Sequence, residues 1–248
     1  MKTEEEITAL SATDKFCFLC SKENRCFNQC CANLNQLLTP YDILRLKNAL
    51  NMNSGDFLKK YCVQYNGQET GLPVVSLKPD YKNELSCPFV SDSGCKVYKD
   101  RPASCRLYPL ARMASRNRET GKITEYFALI KEEHCKGFER GKEYTPQDWI
   151  KEQGAEEYNR INDEMIEIIG IARGIEPAAF EDSIKKIFAM ACYDIDMFKK
   201  FISEDDFKNN EIAKSLGYKE EIFKDNETAL LLFGLEYIKG VLLRIGKA

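Results

Sequence analysis

The chain has 248 residues, 44% of them hydrophobic and 30% charged, with a formal net charge of −3. This is the make-up of an ordinary soluble globular protein, without repeats or low-complexity tracts. Its charge is uneven: residues 1–145 carry 22 Lys and Arg against 18 Asp and Glu, and residues 146–248 carry 14 against 21. Neither imbalance is large enough for a nucleic-acid surface.

The opening Met1-Lys-Thr-Glu-Glu-Glu-Ile is acidic and offers no apolar secretory region, which points to a cytoplasmic location. The most apolar stretch, Thr228–Ile245, is interrupted by Glu236 and Lys239, so no membrane span is expected. Residues 1–15 read as a polar lead-in, helical or unstructured. Five cysteines follow within fifteen positions, Cys17, Cys20, Cys26, Cys30 and Cys31. Phe16, Phe18, Leu19 and Phe27 between them are suited to keep water from a metal centre.

A helix begins at Thr39-Pro40-x-Asp42, where Thr39 caps, Pro40 suits the first helical position and Asp42 favours the positive helix end. Ile43, Leu44, Leu46 and Leu50 form its apolar stripe. A second helix starts at Ser54 and carries Phe57, Leu58, Tyr61 and Cys62. Short strands are expected at Leu72–Leu77, Gly94–Tyr98 and Ile123–Ile130. Arg112–Lys122 reads as a polar, basic loop, either a solvated hairpin connection or an approach for an anionic partner.

After Cys135 the pattern turns helical. Thr145-Pro146 opens a long amphipathic segment to about Gly170, and Glu176-Pro177 opens another through Phe180, Phe188 and Ile195. Shorter pieces cover 204–216, and Glu221–Gly246 is apolar around most of its circumference, hence buried against the preceding helices or a second subunit. The expected fold is mainly α with a few short strands. An irregular cysteine-rich metal-binding core over 1–145 is followed by an acidic helical annex over 146–248.

Ten of the eleven cysteines lie between positions 17 and 135. In a reducing compartment such clustering favours metal over disulfides. Eight make a coherent ligand set: Cys20, Cys26, Cys30, Cys31, Cys87, Cys95, Cys105 and Cys135. Thiolates select zinc, Cu(I) or iron–sulfur clusters, and an iron–sulfur cluster of the 4Fe–4S type is the first expectation, with zinc the alternative. The adjacent Cys30 and Cys31 point in different directions, so two four-cysteine sites, or one site with a reserve of redox thiols, are both open.

Other assignments fail on spacing. Neither the Cys-x3-Cys-x2-Cys run of radical S-adenosylmethionine clusters nor the Cys-x2-Cys-x2-Cys run of bacterial ferredoxins is present. Only Cys17-x2-Cys20 has zinc-ribbon spacing, and one histidine, His134, excludes a His-rich zinc site. His134 is a ligand, a proton carrier or a plain surface residue. Cys62 and Cys192 lie on helices as small buried apolar residues. Arg101 and Arg106 flank Cys105 and are placed to offset thiolate charge, or to pair with carboxylates of the fold.

The ordered motifs Cys20…Cys26-x3-Cys30-Cys31, Leu38-Thr39-Pro40-x-Asp42, Cys87-Pro88-Phe89, Gly94-Cys95-x-Val97-Tyr98 and Arg101-Pro102-x2-Cys105-Arg106-x-Tyr108-Pro109 resemble the cysteine-cluster family often called YkgJ. The resemblance covers residues 16–140 and implies a zinc- or iron-chelating domain. The Cys26-x3-Cys30-Cys31 spacing departs from the shorter Cys-x2-Cys-Cys of many members, which leaves Cys17 and Cys20 as alternative ligands. Flagellin lysine N-methylases carry a related cluster.

Three functions follow. The first is an iron–sulfur protein for electron transfer, cluster handling or structure. The second is a structural zinc protein whose acidic C-terminal helices bind a protein partner. The third is a metal-dependent protein-modifying enzyme resembling the lysine N-methylases. With no Gly-x-Gly-x-x-Gly loop and no nucleophile–base pair, no catalytic residue is assigned, and catalysis would rest on the metal.

Overall fold

The computed structural model describes residues 5–117, 119–223 and 225–246. It is mixed but mainly helical, with 46% helix and 19% strand. Among the described residues no helix is long and apolar enough to cross a membrane. Contacts along the chain divide it into two compact units. One comprises Met1–Gln36 with Lys78–Arg160, and the other Leu37–Leu77 with Ile161–Ala248.

The first unit carries most of the thiols and is built on antiparallel strands. Ile123–Glu132 is the middle strand of a three-stranded sheet, flanked by Glu5–Leu10 and Leu110–Arg116. Two expectations are corrected here. The stretch from Glu5 to Leu10 is neither helical nor unstructured, because it finds an edge and pairs Ile7 with Ile130 and Leu10 with Phe127. Arg112 to Arg116 is strand rather than loop, since the first arm of the hairpin runs to the Arg116–Ile123 pair. The loop proper is 117–122, in which Asn117 Oδ1 accepts the N–H groups of Glu119 and Thr120 at 2.9 and 2.8 Å. Arg118, counted with the basic loop, lies outside the described residues.

A second ribbon pairs Phe16–Phe18 with Lys142–Tyr144. Strand alternation turns Phe16 and Phe18 inward, onto a core with Leu107, Leu110, Phe127, Tyr144, Trp149 and Ile150. Trp149 packs edge-on against Phe16 and Phe18 at 5.9 and 5.6 Å, and its indole N–H donates to the Leu107 carbonyl at 2.7 Å. Gly137 is required at this point: a Cβ there would come within 2.4 Å of the Phe18 ring.

The second unit follows the sequence more closely. Thr39 caps the helix Pro40–Ala49 with a full capping box to Asp42, as its residues predict. The helix Ser54–Tyr61 begins where expected, capped by Asn53. Pro73–Leu77 is a strand, central between Leu37–Leu38 and Cys62–Asn66. The segment expected to run from Thr145 to Gly170 is instead three helices, Pro146–Glu152, Glu156–Asn162 and Glu164–Ala172. Gly154 in a left-handed conformation (φ +58°) ends the first of them. Glu176-Pro177 opens only a 3-10 turn before the helix Asp182–Cys192, and a further helix runs Ile195–Ser203.

The last helix, Glu227–Ile245, buries Leu230, Leu231, Leu235, Ile238 and Leu242 within this unit. It packs on the 164–172, 182–192, 195–203 and 40–49 helices, so its apolar girth is covered by its own chain. Gly234 lets the crossing close, since a Cβ there would lie 2.8 Å from the Ala191 carbonyl oxygen. Phe198, Phe207, Phe233 and Tyr237 form an aromatic cluster beside it. Each such ring, fully buried, contributes about 1.5–3 kcal/mol of transfer free energy.

Candidate metal centre

The thiols of the first unit are presented by turns rather than by regular elements. Leu19 N–H donates to the Gly137 carbonyl at 2.9 Å, and the buried Asn24 side chain binds the Leu19 carbonyl at 2.6 Å while accepting from Arg140 at 2.8 Å. These bonds lay the loop bearing Cys20 against the loop after Cys135. Lys136 N–H donates to Cys26 Sγ at 3.1 Å, an N–H···S contact of the kind that stabilises a thiolate. Asn28, left-handed at φ 69°, turns the chain into the 3-10 turn Gln29–Cys31.

The other thiols reach Cys31 from a different side of the sequence. Cys87 N–H donates to the Cys31 carbonyl at 2.7 Å, and Leu34 N–H to the Leu85 carbonyl at 2.9 Å. The two-residue ladder pairs Val90 with Cys95, which returns Cys95 towards Cys87. Cys105 lies on the short helix Ala103–Leu107, and its Sγ donates to Gln36 Oε1 at 3.2 Å. Cys135 lies in the turn that follows the strand Ile123–Glu132, where its N–H binds the Glu132 carbonyl at 2.9 Å, and it packs on the aromatic core.

All eleven cysteines are free thiols. Electrostatically the eight candidates form one neighbourhood. Partial withdrawal of the sulfur from water pushes the Cys20 thiol up to about 11, helped by the charges of Cys30, Cys26 and Cys135, although the residue as a whole is exposed. Burial raises Cys87, Cys95 and Cys135 as well, and each also feels Cys30. Cys30 is drawn down, to about 7, by a hydrogen bond from the Cys31 thiol, which raises Cys31 in turn. Thiols that oppose one another's ionisation need a cation before they can all become thiolates.

Arg101 supplies part of that charge. Its guanidinium lowers Cys20 and Cys95 and is itself pulled down by burial and held up by Tyr98, Cys105 and Cys95. It stacks 4.0 Å from the Tyr98 ring centre and donates to the Tyr98 carbonyl and Gln153 Oε1, both at 2.6 Å. Arg106, expected to act with it, turns instead to the carbonyls of Gln153 and Lys99 and to the Tyr158 ring.

Among the described residues no three Cys, His, Asp or Glu side chains are disposed, as they stand, to hold a metal ion. The donor chemistry nevertheless fits one. The buried Tyr108 hydroxyl lies beside Cys135 and has no hydrogen-bond partner of normal geometry, so a metal-bound thiolate at Cys135 would satisfy it. Tyr108 is the main site residue that the spacing of the thiols did not single out, although it stands in the Arg101–Pro109 motif.

Two remaining cysteines sit apart from this neighbourhood in the chain: Cys62 begins a strand of the second unit, and Cys192 is buried at the end of a helix there. Cys17 lies on the Phe16–Phe18 strand opposite Glu143. His134 Nε2 is 3.8 Å from Glu132 Oε2 and lines a cleft of about 350 Å3 with Arg25, Cys26, Gln29 and Lys136. A larger cleft of about 840 Å3 opens beside Cys135 between Lys131, Glu132, Phe138 and Glu139.

A unit of short strands and turns that gathers free thiols from separate segments defines a cysteine-cluster, metal-chelating class of protein. The family model CxxCxxCC, described as "Putative zinc- or iron-chelating domain", matches residues 19–136, so this stretch of the chain is similar to that family. The match includes Cys20 and Cys135 and leaves Cys17 outside. No curated protein and no solved structure matches the chain.

Proposed function

We propose that the chain holds iron–sulfur of the 4Fe–4S type, four thiols to a cluster, on ligands drawn from Cys20, Cys26, Cys30, Cys31, Cys87, Cys95, Cys105 and Cys135, serving electron transfer, cluster handling or structure. The observation that carries this reading is the gathering of free thiols from separate chain segments, with Cys20, Cys31, Cys87, Cys95 and Cys135 all neighbours of Cys30. A bound cluster would supply one-electron exchange. The chain's own groups set its surroundings: Lys136 N–H on Cys26, Tyr108 beside Cys135, and Arg101 as fixed positive charge. Exposure of Cys20, Cys30 and Cys105 gives electrons or a departing cluster a short path to the surface. In the same reading the acidic helices after residue 145 are the face for a protein partner.

Zinc is the second reading, since thiols in sets of four also make closed structural zinc sites. Purification without oxygen, a visible spectrum, and iron, sulfide and zinc assays separate the two. A brown protein absorbing near about 400 nm with matching iron and sulfide supports the cluster. A colourless protein carrying zinc replaces it. Serine at any of the eight positions is expected to lower metal content, whereas Cys17→Ser leaves it unchanged.

A further inference from the structure

Resting on the reading of these thiols as metal ligands, we infer that they form two separate four-sulfur sites divided at the Cys30–Cys31 peptide bond. Cys20, Cys26, Cys30 and Cys135 make one site, and Cys31, Cys87, Cys95 and Cys105 the other.

The backbone draws the division. The Leu19–Gly137 hydrogen bond, the Asn24–Arg140 pair and the Lys136 N–H on Cys26 Sγ all join the 19–26 segment to the 135–140 loop. Through the turn that holds Cys30 and Cys31 the chain changes partner, the Asn28 side-chain amide already donating to the Ser91 carbonyl at 2.9 Å. Cys31, Asn33 and Leu34 bond to Cys87, Glu84 and Leu85, and Gln36 accepts from Cys105 Sγ. The Val90–Cys95 pairing and the Val90 N–H to Cys87 carbonyl bond, at 3.1 Å, hold Cys95 with Cys87.

The seam itself has the right geometry. Gln29–Cys31 is a 3-10 turn, in which successive side chains project about 120° apart. Neighbouring cysteines there address two centres more readily than one. Cys20 feels Cys30, Cys26 and Cys135, while Cys31 feels Cys30 first and then Cys87 and Cys105, so the charges place Cys30 against both sets. Cys30 is also felt by Cys87 and Cys95 and contacts Cys31, so the sites adjoin. Arg101 acts on Cys20 of the first set and on Cys95 of the second, as a cation between two anionic centres would.

The test uses the full-length metal-free protein titrated with Co2+ under anaerobic conditions, followed by sulfur-to-cobalt charge-transfer absorbance. Two equivalents with tetrathiolate spectra are expected. Cys20→Ser with Cys135→Ser should halve bound tetrathiolate cobalt, and Cys87→Ser with Cys105→Ser should halve it by removing the other site. Cys87→Ser with Cys135→Ser should alter both. Saturation of the unaltered protein at one equivalent overturns the division while leaving the metal reading intact, and this measurement needs no variant to fold. Loss of both equivalents in either same-site double variant, with circular dichroism unchanged, also overturns it. No cobalt binding by the unaltered protein, together with no iron or sulfide in the protein purified without oxygen, overturns both readings.

Discussion

The two units differ in part of their buried positive charge: in the thiol unit Arg112 pairs with Glu125 at 2.6 Å as the lysines of the helical unit do with their carboxylates, but Arg101 and Arg106 do not. In the helical unit each buried lysine has carboxylates: Lys47 bonds to Glu227 and lies 3.7 Å from Asp196, and Lys239 meets Glu164 at 2.8 Å, Glu236 at 2.6 Å and Glu167 at 3.2 Å. In the thiol unit the buried Arg101 and Arg106 bond to carbonyls and an amide, which are neutral. A buried cation without an opposing charge is costly. The helical unit therefore pairs its buried lysines within its own residues, whereas in the thiol unit Arg101 lies near ionisable sulfurs whose deprotonation around a metal would balance it. One region is ordered by apolar packing, the other by packing and by what it binds.

Metal removal should break this comparison most visibly. Structural tetrathiolate sites contribute on the order of 10 kcal/mol to folding, so stripping the centre should unfold the loops over 19–36 and 84–107. Hydrogen exchange followed by fragment mass should then show these segments exchanging freely while the helix Glu227–Ile245 keeps its protection. Equal loss of protection in both units would show that dependence on metal is not confined to the thiol unit.

The converse change sharpens the contrast. Leu235 is fully buried in the last helix, and Leu235→Ala should cost about 2–5 kcal/mol through lost contacts and a cavity. Denaturant unfolding followed by circular dichroism measures the loss, and metal per folded chain should stay constant. A parallel fall in metal content would mean that the thiol loops draw their order from the helical core.

Legibility in the sequence followed the same divide. Thr39-Pro40-x-Asp42 and Thr145-Pro146-x-Asp148 are local instructions, and both made capped helices where they stand. Gly154, which ends the first helix of the annex, carried a breaking signal outweighed by the apolar spacing around it. Glu5–Leu10 was illegible because an edge strand is fixed by its partner, 117 or more positions away, and not by its own pattern. The placement of 37–77 with the later helices likewise rests on contacts at long sequence separation, such as Ser54 with Asp194. Among site residues, thiolate chemistry singled out the cysteines from spacing alone. Arg106 and Tyr108 needed coordinates, since which of two flanking groups turns to the sulfurs depends on side-chain direction.

The smallest effect concerns acid. Asp196 Oδ2 accepts from Ser54 N–H at 2.7 Å and from Ser54 Oγ at 2.9 Å, with Lys47 nearby. Burial alone would raise this carboxyl, but the Ser54 bonds and the Lys47 charge outweigh it and hold it below its ordinary value. A depressed carboxyl stabilises the fold fully above its unfolded pKa, about 3.9, and that stabilisation disappears as pH falls through the lower folded value. Asp196→Asn should therefore flatten the acid limb of the helical unit's stability below about pH 4 and cost about 1 kcal/mol at neutral pH, the group being one-third exposed. The thiol unit should respond earlier, because protons compete with metal for thiolates well above that range. Acid titration followed by circular dichroism and by metal release should then give two transitions, the metal leaving first, and Asp196→Asn should move only the second. A single coincident transition, shifted as a whole by Asp196→Asn, would mean that acid unfolds the two units together and that the carboxylate-paired lysines do not stabilise their unit independently.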